Sequence, residues 1–457
     1  MNEAVLSYVR TEHPRYLSEL FSFLQFASVS ADSAFKKDVD ACAEFVCDAL
    51  TQAGLDQVQL FPTKGHPIVY AEKIVDDGLP TVLIYGHYDV QPPDPLNLWE
   101  TPPFSPEIRD GRIYARGVSD DKGQIYCHIK AIEAWIKTAQ LPVNVKVLIE
   151  GEEEIGSPNL LPFILAHKDL LKADVALVSD TPMMGPGCPS ICYSLRGLLY
   201  TEISVFGTAS DLHSGQNGGA VPNAIEGLHR ILNQLKNQEG QVMIPEFYEG
   251  VPELTPEERS QIQALPFSDS EYQQSLGASA LVGEIGYSTL ERRWFRPTLD
   301  VNGIWGGYIG EGSKTVIPCE AHAKLSMRLV GAQNPQRIAE HLEAYLQEVC
   351  PQGYRVSMRV HSMAVPAYTN PQHPAVLAGL RAVESAFVAK AVLQGEGGTI
   401  PVVSDFATEL GIPTVLMGFN LPDDCIHAPN ERFTEAHFYK GIEASARFLN
   451  EILSLKK

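Results

Sequence analysis

The stretch Glu150-Gly151-Glu152-Glu153-Glu154-Ile155-Gly156 places four carboxylates within five residues, directly after a plain β run at 145–149. Crowded like charges raise one another's pKa unless cations or solvent relieve them. On a solvated helix the same residues would form an ordinary acidic face. The end of a parallel strand is different, because open α/β sheets bind their ligands there. Two further β runs end in the same kind of residue: 81–85 runs into Gly86-His87-Tyr88-Asp89, and 175–178 into Ser179-Asp180. Asp120 precedes a helix, and His427 lies late in the chain. Histidine and carboxylates without cysteine suit Zn²⁺, Mn²⁺ or Co²⁺. In extended chain His87 and Asp89 point the same way, so one can bind metal while the other holds its imidazole from behind. Singly, each residue reads as structural; the conjunction of strand ends points to a metal site.

The elements that must position these residues alternate. A helical pattern over 38–50 stops at Gly54, and short β runs follow near 58–61 and 68–71. The 81–85 strand leads through a Pro-rich loop to a helix with Ile125, Ile129, Ile132 and Ile136 on one face. The 145–149 strand, a helix near 160–171 and the 175–178 strand come next. This order predicts an α/β fold with a mostly parallel sheet and helices on both faces. After Arg196 the style changes. Leu199, Thr201, Ile203 and Val205 alternate along a strand, a helix runs from 222 to about 235, and 245–275 reads as an insertion with helical pieces. Strands at 314–317 and 321–329, a helix carrying Ile338, Leu342, Tyr345 and Val349, and a strand at 355–360 complete a ferredoxin-like α+β pattern. From His373 the first style returns, with a helix to Phe387, a strand at 414–416 and a closing helix to Ile452. The expected organisation is a catalytic domain of residues 1–196 and 369–457 with an inserted domain of 197–368.

At 457 residues the chain is long enough for two cores. Its net charge of −21 argues against nucleic acid or an anionic membrane as partner. Residues 1–10 lack a basic region followed by an apolar run, and no stretch of about 18 apolar residues occurs, so neither a signal peptide nor a membrane span is expected. The eight cysteines form no Cys-x-x-Cys pair, which fits reduced thiols in the cytoplasm.

Taken together, five segments resemble, in order and spacing, a two-metal superfamily of hydrolases. They are Gly86-His87-Tyr88-Asp89-Val90-Gln91-Pro92, Arg116-Gly117-Val118-Ser119-Asp120-Asp121-Lys122-Gly123, the 150–157 Glu segment, Ser179-Asp180 and Ile426-His427-Ala428-Pro429-Asn430-Glu431. The superfamily includes carnosine and cytosolic non-specific dipeptidases, glutamate carboxypeptidases, aminoacylases, acetylornithine deacetylase and succinyl-diaminopimelate desuccinylase. Asp211-Leu212-His213-Ser214-Gly215, Thr315-Val316-Ile317-Pro318 and Glu396-Gly397-Gly398-Thr399-Ile400-Pro401 are similar to the dipeptidase branch.

The resemblance implies two divalent metals per subunit, zinc first and manganese or cobalt as alternatives. Asp120 would bridge them, His87 and Asp180 would bind one, and Glu154 and His427 the other. Glu153 would be the general base and Asp89 the orienter of His87, with a cis peptide between Asp120 and Asp121. Catalysis would be hydrolysis of a small peptide's amide bond, with His213 helping to stabilise the oxyanion; an N-acyl-amino-acid deacylase would share every ligand. Arg328 would clamp the substrate carboxylate, with Thr315, Gly398 and Thr399 lining the same pocket. The family's pocket histidine is displaced by one residue here, to His361, and the aromatic after the following proline is missing. The inserted domain would act as lid and dimerise, lending His213 to the partner's site.

Overall fold

The structure is a computed structural model and describes residues 2–455. It divides into two compact units. The first holds 2–193, 369–394 and 405–455; the second holds 194–368 and 395–404.

The first unit is built on a mostly parallel sheet. Asn144–Glu150, Thr81–His87, Val175–Val178 and Thr414–Leu416 run parallel in that order. Ile68–Lys73 and Asp56–Phe61 extend it antiparallel on one side, and Ser190–Leu195 pairs antiparallel with Thr414–Leu416 on the other. One face presents Val145, Val147, Ile149, Val82, Ile84, Val175 and Leu177 to a large apolar core. Helices Lys36–Ala53, Lys122–Thr138, Pro374–Phe387 and Glu435–Ile452 supply much of the rest of that core. The opposite face is covered with polar anchors. Lys146 Nζ donates to the carbonyls of Leu170 (2.6 Å) and Lys172 (2.8 Å), Phe61 meets Phe163 edge-on, and Tyr85 meets Phe406 edge-on. Helices therefore lie on both faces of a parallel sheet, the arrangement that βα alternation dictates.

Helix Lys122–Thr138 is buried almost all round, where the sequence pattern predicts one apolar face. Two N-terminal helices, Glu3–Thr11 and His13–Leu24, cover its other side. Its charged residues are satisfied there: Lys130, 1% exposed, lies between Glu19 (2.5 Å) and Glu133 (2.8 Å), and Arg15 pairs with Glu133. Charges so paired can be buried where lone ones could not.

The second unit holds a four-stranded antiparallel sheet in the order Thr298–Gly306, Glu320–Leu329, Gly197–Phe206, Arg355–Ala364. Residues alternate strictly between buried and open faces along the two central strands. Leu199, Ile203, Val205, Ala323, Leu325 and Met327 pack under helices Ala224–Leu232 and Pro335–Val349. Both helices start at asparagine caps, Asn223 and Asn334. The 245–275 segment carries helices Pro256–Gln263 and Asp269–Ser275. Residues 395–404 group with this second unit, whereas the sequence pattern alone runs them on with 369–457. The physical ties are the Arg196 N–H to the Gly398 carbonyl (3.1 Å) and Arg328 Nη1 to Thr399 Oγ1 (2.6 Å).

Candidate metal centre

Three parallel strands deliver acids and a histidine to one end of the first unit's sheet. Thr81–His87 ends in His87, Asn144–Glu150 leads into the short helix Glu153–Ile155, and Val175–Val178 leads to Asp180. Asp120 sits in the loop before helix Lys122–Thr138, and the peptide bond between Asp120 and Asp121 is cis. His427 comes from a loop near the end of the chain and adopts φ +62°.

Asp120 joins the two halves. Its Oδ1 is 3.1 Å from His87 Nε2 and its Oδ2 is 2.8 Å from His427 Nε2. His427 Nε2 is also 3.3 Å from Glu154 Oε2. Potential ligand atoms of His87, Asp120 and Asp180 lie within 4.8 Å of one another, and so do those of Asp120, Glu154 and His427. All five residues expected from sequence thus converge as two triads sharing Asp120.

Asp89 has a wider role than orienting His87. The His87 Nδ1 is 3.0 Å from the Asp89 carbonyl and 3.4 Å from its carboxylate. The two carboxylate oxygens accept the backbone N–H groups of Glu153 (3.2 Å) and Glu154 (3.1 Å). One buried carboxylate therefore sets both the imidazole and the neighbouring Glu pair. The adjacent glutamates diverge: Glu154 accepts from Gln91 Nε2 (2.7 Å) and faces His427, whereas the Glu153 carboxylate makes no hydrogen bond with a described residue. The spacing of ligands gave no hint of Gln91, although it lies in the motif after His87. Asp121, which accepts the His87 N–H at 3.3 Å, was equally silent.

The electrostatics call for cations. Burial pushes the Glu153 carboxyl up to about 7, with Asp120, Glu154 and Asp89 adding to the rise and His87 opposing it. Asp180 is raised well above the usual carboxylate range by burial and by Asp120 and Asp121, and it has no hydrogen-bond or ion-pair partner among the described residues. Hydrogen bonds to Asp120 and Glu154 lift His427 to about 10. Acids that resist ionisation beside imidazoles that hold their protons form a donor set short of positive charge. His nitrogens and carboxylate oxygens, without sulfur, fit divalent transition metals.

The remaining expected residues lie in the second unit. His213 is exposed at the end of strand Leu212–His213, which pairs with Val316–Ile317. Its Nδ1 accepts the Gly215 N–H at 3.0 Å, so in the neutral ring Nε2 carries the proton and can donate. Thr315 lies alongside, its carbonyl accepting the Ser214 N–H at 3.0 Å. Arg328, Thr399 and Gly398 form a second group. Thr399 Oγ1 accepts from Arg328 and donates to the Arg196 carbonyl (2.6 Å), and no described carboxylate pairs with the Arg328 guanidinium. His361 is the extra residue of a β-bulge between Val360 and Ser362, and its Nε2 lies 3.3 Å from Glu202 Oε2.

A sequence model of Peptidase family M20/M25/M40 matches residues 83–451, which span both triads. The chain belongs to this peptidase family. Among family relatives, the Cys-Gly metallodipeptidase dug1 of Schizosaccharomyces pombe is 32% identical, with 96% of each chain covered. The human Beta-Ala-His dipeptidase is 31% identical over 99% of this chain and 93% of its own. Among solved structures, the M20 metallo-carboxypeptidase Sso-CP2 of Sulfolobus solfataricus superposes with a TM-score of 0.87 at 35% identity, covering 96% of this chain and 99% of that one. Within the family, then, the α/β fold, the peptidase class and a metal-dependent centre stand for this chain. No helix among the described residues is long and apolar enough to cross a membrane.

Proposed function

We propose that this chain is a two-metal dipeptidase. The observation that carries this reading is the pair of triads sharing Asp120, with the Glu153 carboxylate beside them and making no hydrogen bond with a described residue. His87 and Asp180 would hold one metal and Glu154 and His427 the other, with Asp120 between. Zinc suits this donor set, and manganese or cobalt could replace it. Bound there, the metals would make a water acidic enough to attack an amide carbonyl near neutral pH. Glu153 takes a proton from the attacking water and returns it to the leaving amine. Arg328, held by Thr399 near Gly398 and unpaired with any described carboxylate, suits the carboxylate of a short peptide.

The dipeptidase relatives favour dipeptides over N-acyl amino acids. The test is a panel of free dipeptides, the same dipeptides amidated at the C-terminus, and N-acetyl amino acids. Turnover is expected for the first set, with kcat/KM at least about tenfold lower for the amides, the scale of one lost charge-assisted hydrogen bond. Preference for N-acetyl amino acids would replace dipeptidase by deacylase. Eight unbridged cysteines support the cytoplasm as its compartment.

The second unit is proposed as lid and dimerisation domain. Its edge strand Thr298–Gly306 exposes Val301, Ile304 and Trp305, and exposed edges tend to be covered. In such a homodimer the free Nε2 of His213 would serve the partner subunit's oxyanion. An inactive Glu153→Gln chain mixed with an inactive His213→Ala chain is then expected to regain activity once subunits exchange, because one site per heterodimer is intact. No recovery despite demonstrated exchange would refute sharing.

A further inference from the structure

Glu431 is completely buried, yet it lies in a segment where an apolar residue would be cheaper to bury. Its carboxylate collects four donors from one short loop. Oε2 accepts Arg116 Nη1 at 2.7 Å and the Gly117 N–H at 2.9 Å, and Oε1 accepts the Ser119 N–H at 2.9 Å and the Asp120 N–H at 3.2 Å. The Arg116–Glu431 ion pair is itself 1% exposed on each side. Gly117, at φ +81°, lets the loop turn so that its own N–H and those of Ser119 and Asp120 face one acceptor. Backbone bonds flank the carboxylate: the Ala115 N–H reaches the Glu431 carbonyl (3.2 Å), and Ser119 Oγ donates to the Arg432 carbonyl (2.7 Å).

The loop so gathered ends at Asp120, and the segment that gathers it carries His427 four residues earlier. The Asp120 carboxylate touches His87 on one side and His427 on the other. We infer that Glu431 is a positioning residue for the metal centre: by accepting the N–H of Asp120 and of the residues before it, it locks the shared carboxylate and His427 into one rigid piece. This inference rests on the two-metal reading. A merely structural bond at this place would need only the paired backbone groups. A carboxylate that spans Arg116, Gly117 and Ser119 as well as the Asp120 N–H fixes the direction of the Asp120 side chain. Outer partners of metal ligands typically change affinity by about 10–100-fold when removed.

The test uses the full chain, stripped of metal by chelator and titrated with Co²⁺ alone. Co²⁺ affinity is read from visible absorption, and fold and melting temperature from circular dichroism. Wild type is expected to bind two Co²⁺. Glu431→Gln keeps shape and one acceptor but turns the other into a donor against the Gly117 N–H. It is expected to weaken at least one Co²⁺ by about 10–100-fold while retaining the wild-type spectrum. Arg116→Met breaks the ion pair but leaves the three backbone acceptances, so it should lower the melting temperature with a clearly smaller loss of Co²⁺ affinity. Should Glu431→Gln fail to fold, Glu431→Asp, one methylene too short to span the loop, is expected to show the same loss. Wild-type affinity in a folded Glu431 variant overturns the inference, as does an equal loss in Arg116→Met. A wild-type chain that binds no Co²⁺ overturns the two-metal reading and this inference with it.

Discussion

Glu153→Gln is expected to lower dipeptide turnover by roughly 10²–10⁴-fold, the usual contribution of a positioned general base, and to leave metal content unchanged. Gln matches Glu in shape but cannot accept a proton at neutral pH. The side chain it replaces makes no hydrogen bond with the described residues, while its backbone N–H stays anchored on Asp89 Oδ1. The substitution therefore removes chemistry and little packing. kcat measured alongside metal analysis checks this. Turnover close to wild type with both metals bound would move the base elsewhere. Glu152, the nearest alternative in sequence, is a poor substitute, because its buried carboxylate already accepts the His66 N–H (3.0 Å) and Asn159 Nδ2 (2.8 Å).

Removing the metals is expected to abolish turnover and to change how stability depends on pH. In the metal-free chain the folded Glu153 carboxyl sits at about 7 against an ordinary 4.5, and His427 at about 10 against 6.5. Both groups hold more protons folded than unfolded across those intervals. Stability must then fall as pH rises, through Glu153 from about 4.5 to 7 and through His427 from about 6.5 to 10. The opposite slope from Asp120, held low by His427 and His87 against its burial, operates only in acid, below its ordinary 3.8. Burial holds His128 at about 3 and His437 at about 4, and they give the opposite slope only below their ordinary 6.5, so melting temperatures of stripped protein should decline from about pH 7 to pH 9. Excess Zn²⁺ or Co²⁺ should raise the melting temperature most at high pH, with about 2.7 kcal/mol at a free concentration 100 times Kd. A stripped protein equally stable at pH 7 and pH 9, or fully active, would contradict this.

The candidate metal centre was legible in part because His87, Glu154 and Asp180 stand at or just beyond strand ends, where charge has no structural excuse, whereas Asp120 and His427 lie in loops. Buried parallel strands read as continuous apolar runs, so an abrupt acid after Ile149 or Val178 is conspicuous. The difference between Glu153 and Glu154 was not legible from charge. It arises from Gln91 and His427, which meet the Glu154 carboxylate and are brought in from other parts of the chain. Strand Thr298–Gly306 escaped the pattern for a different reason. It is an edge strand with a bulge between Val301 and Gly303, and most of its residues are exposed, so no alternation of apolar and polar residues marks it. The N-terminal helices were missed because their amphipathic stripes are short. The full burial of helix Lys122–Thr138 was missed because it depends on those helices. The bulge at His361 was not legible either, because a single extra residue within an apolar and polar strand pattern leaves no mark of its own.

The place of strand Thr414–Leu416 has a consequence in time. It fills the slot between Val175–Val178 and Ser190–Leu195, although about half of the sequence is synthesised between those neighbours and itself. A chain growing on the ribosome must carry both neighbours with unpaired edges until this strand emerges. Domains otherwise tend to fold in the order of synthesis, and open strand edges invite mispairing. His427 and Glu431 emerge later still. Until then His87, Asp120, Glu154 and Asp180 stand on a sheet with an open slot, and that open sheet is the form that chaperones would have to shield.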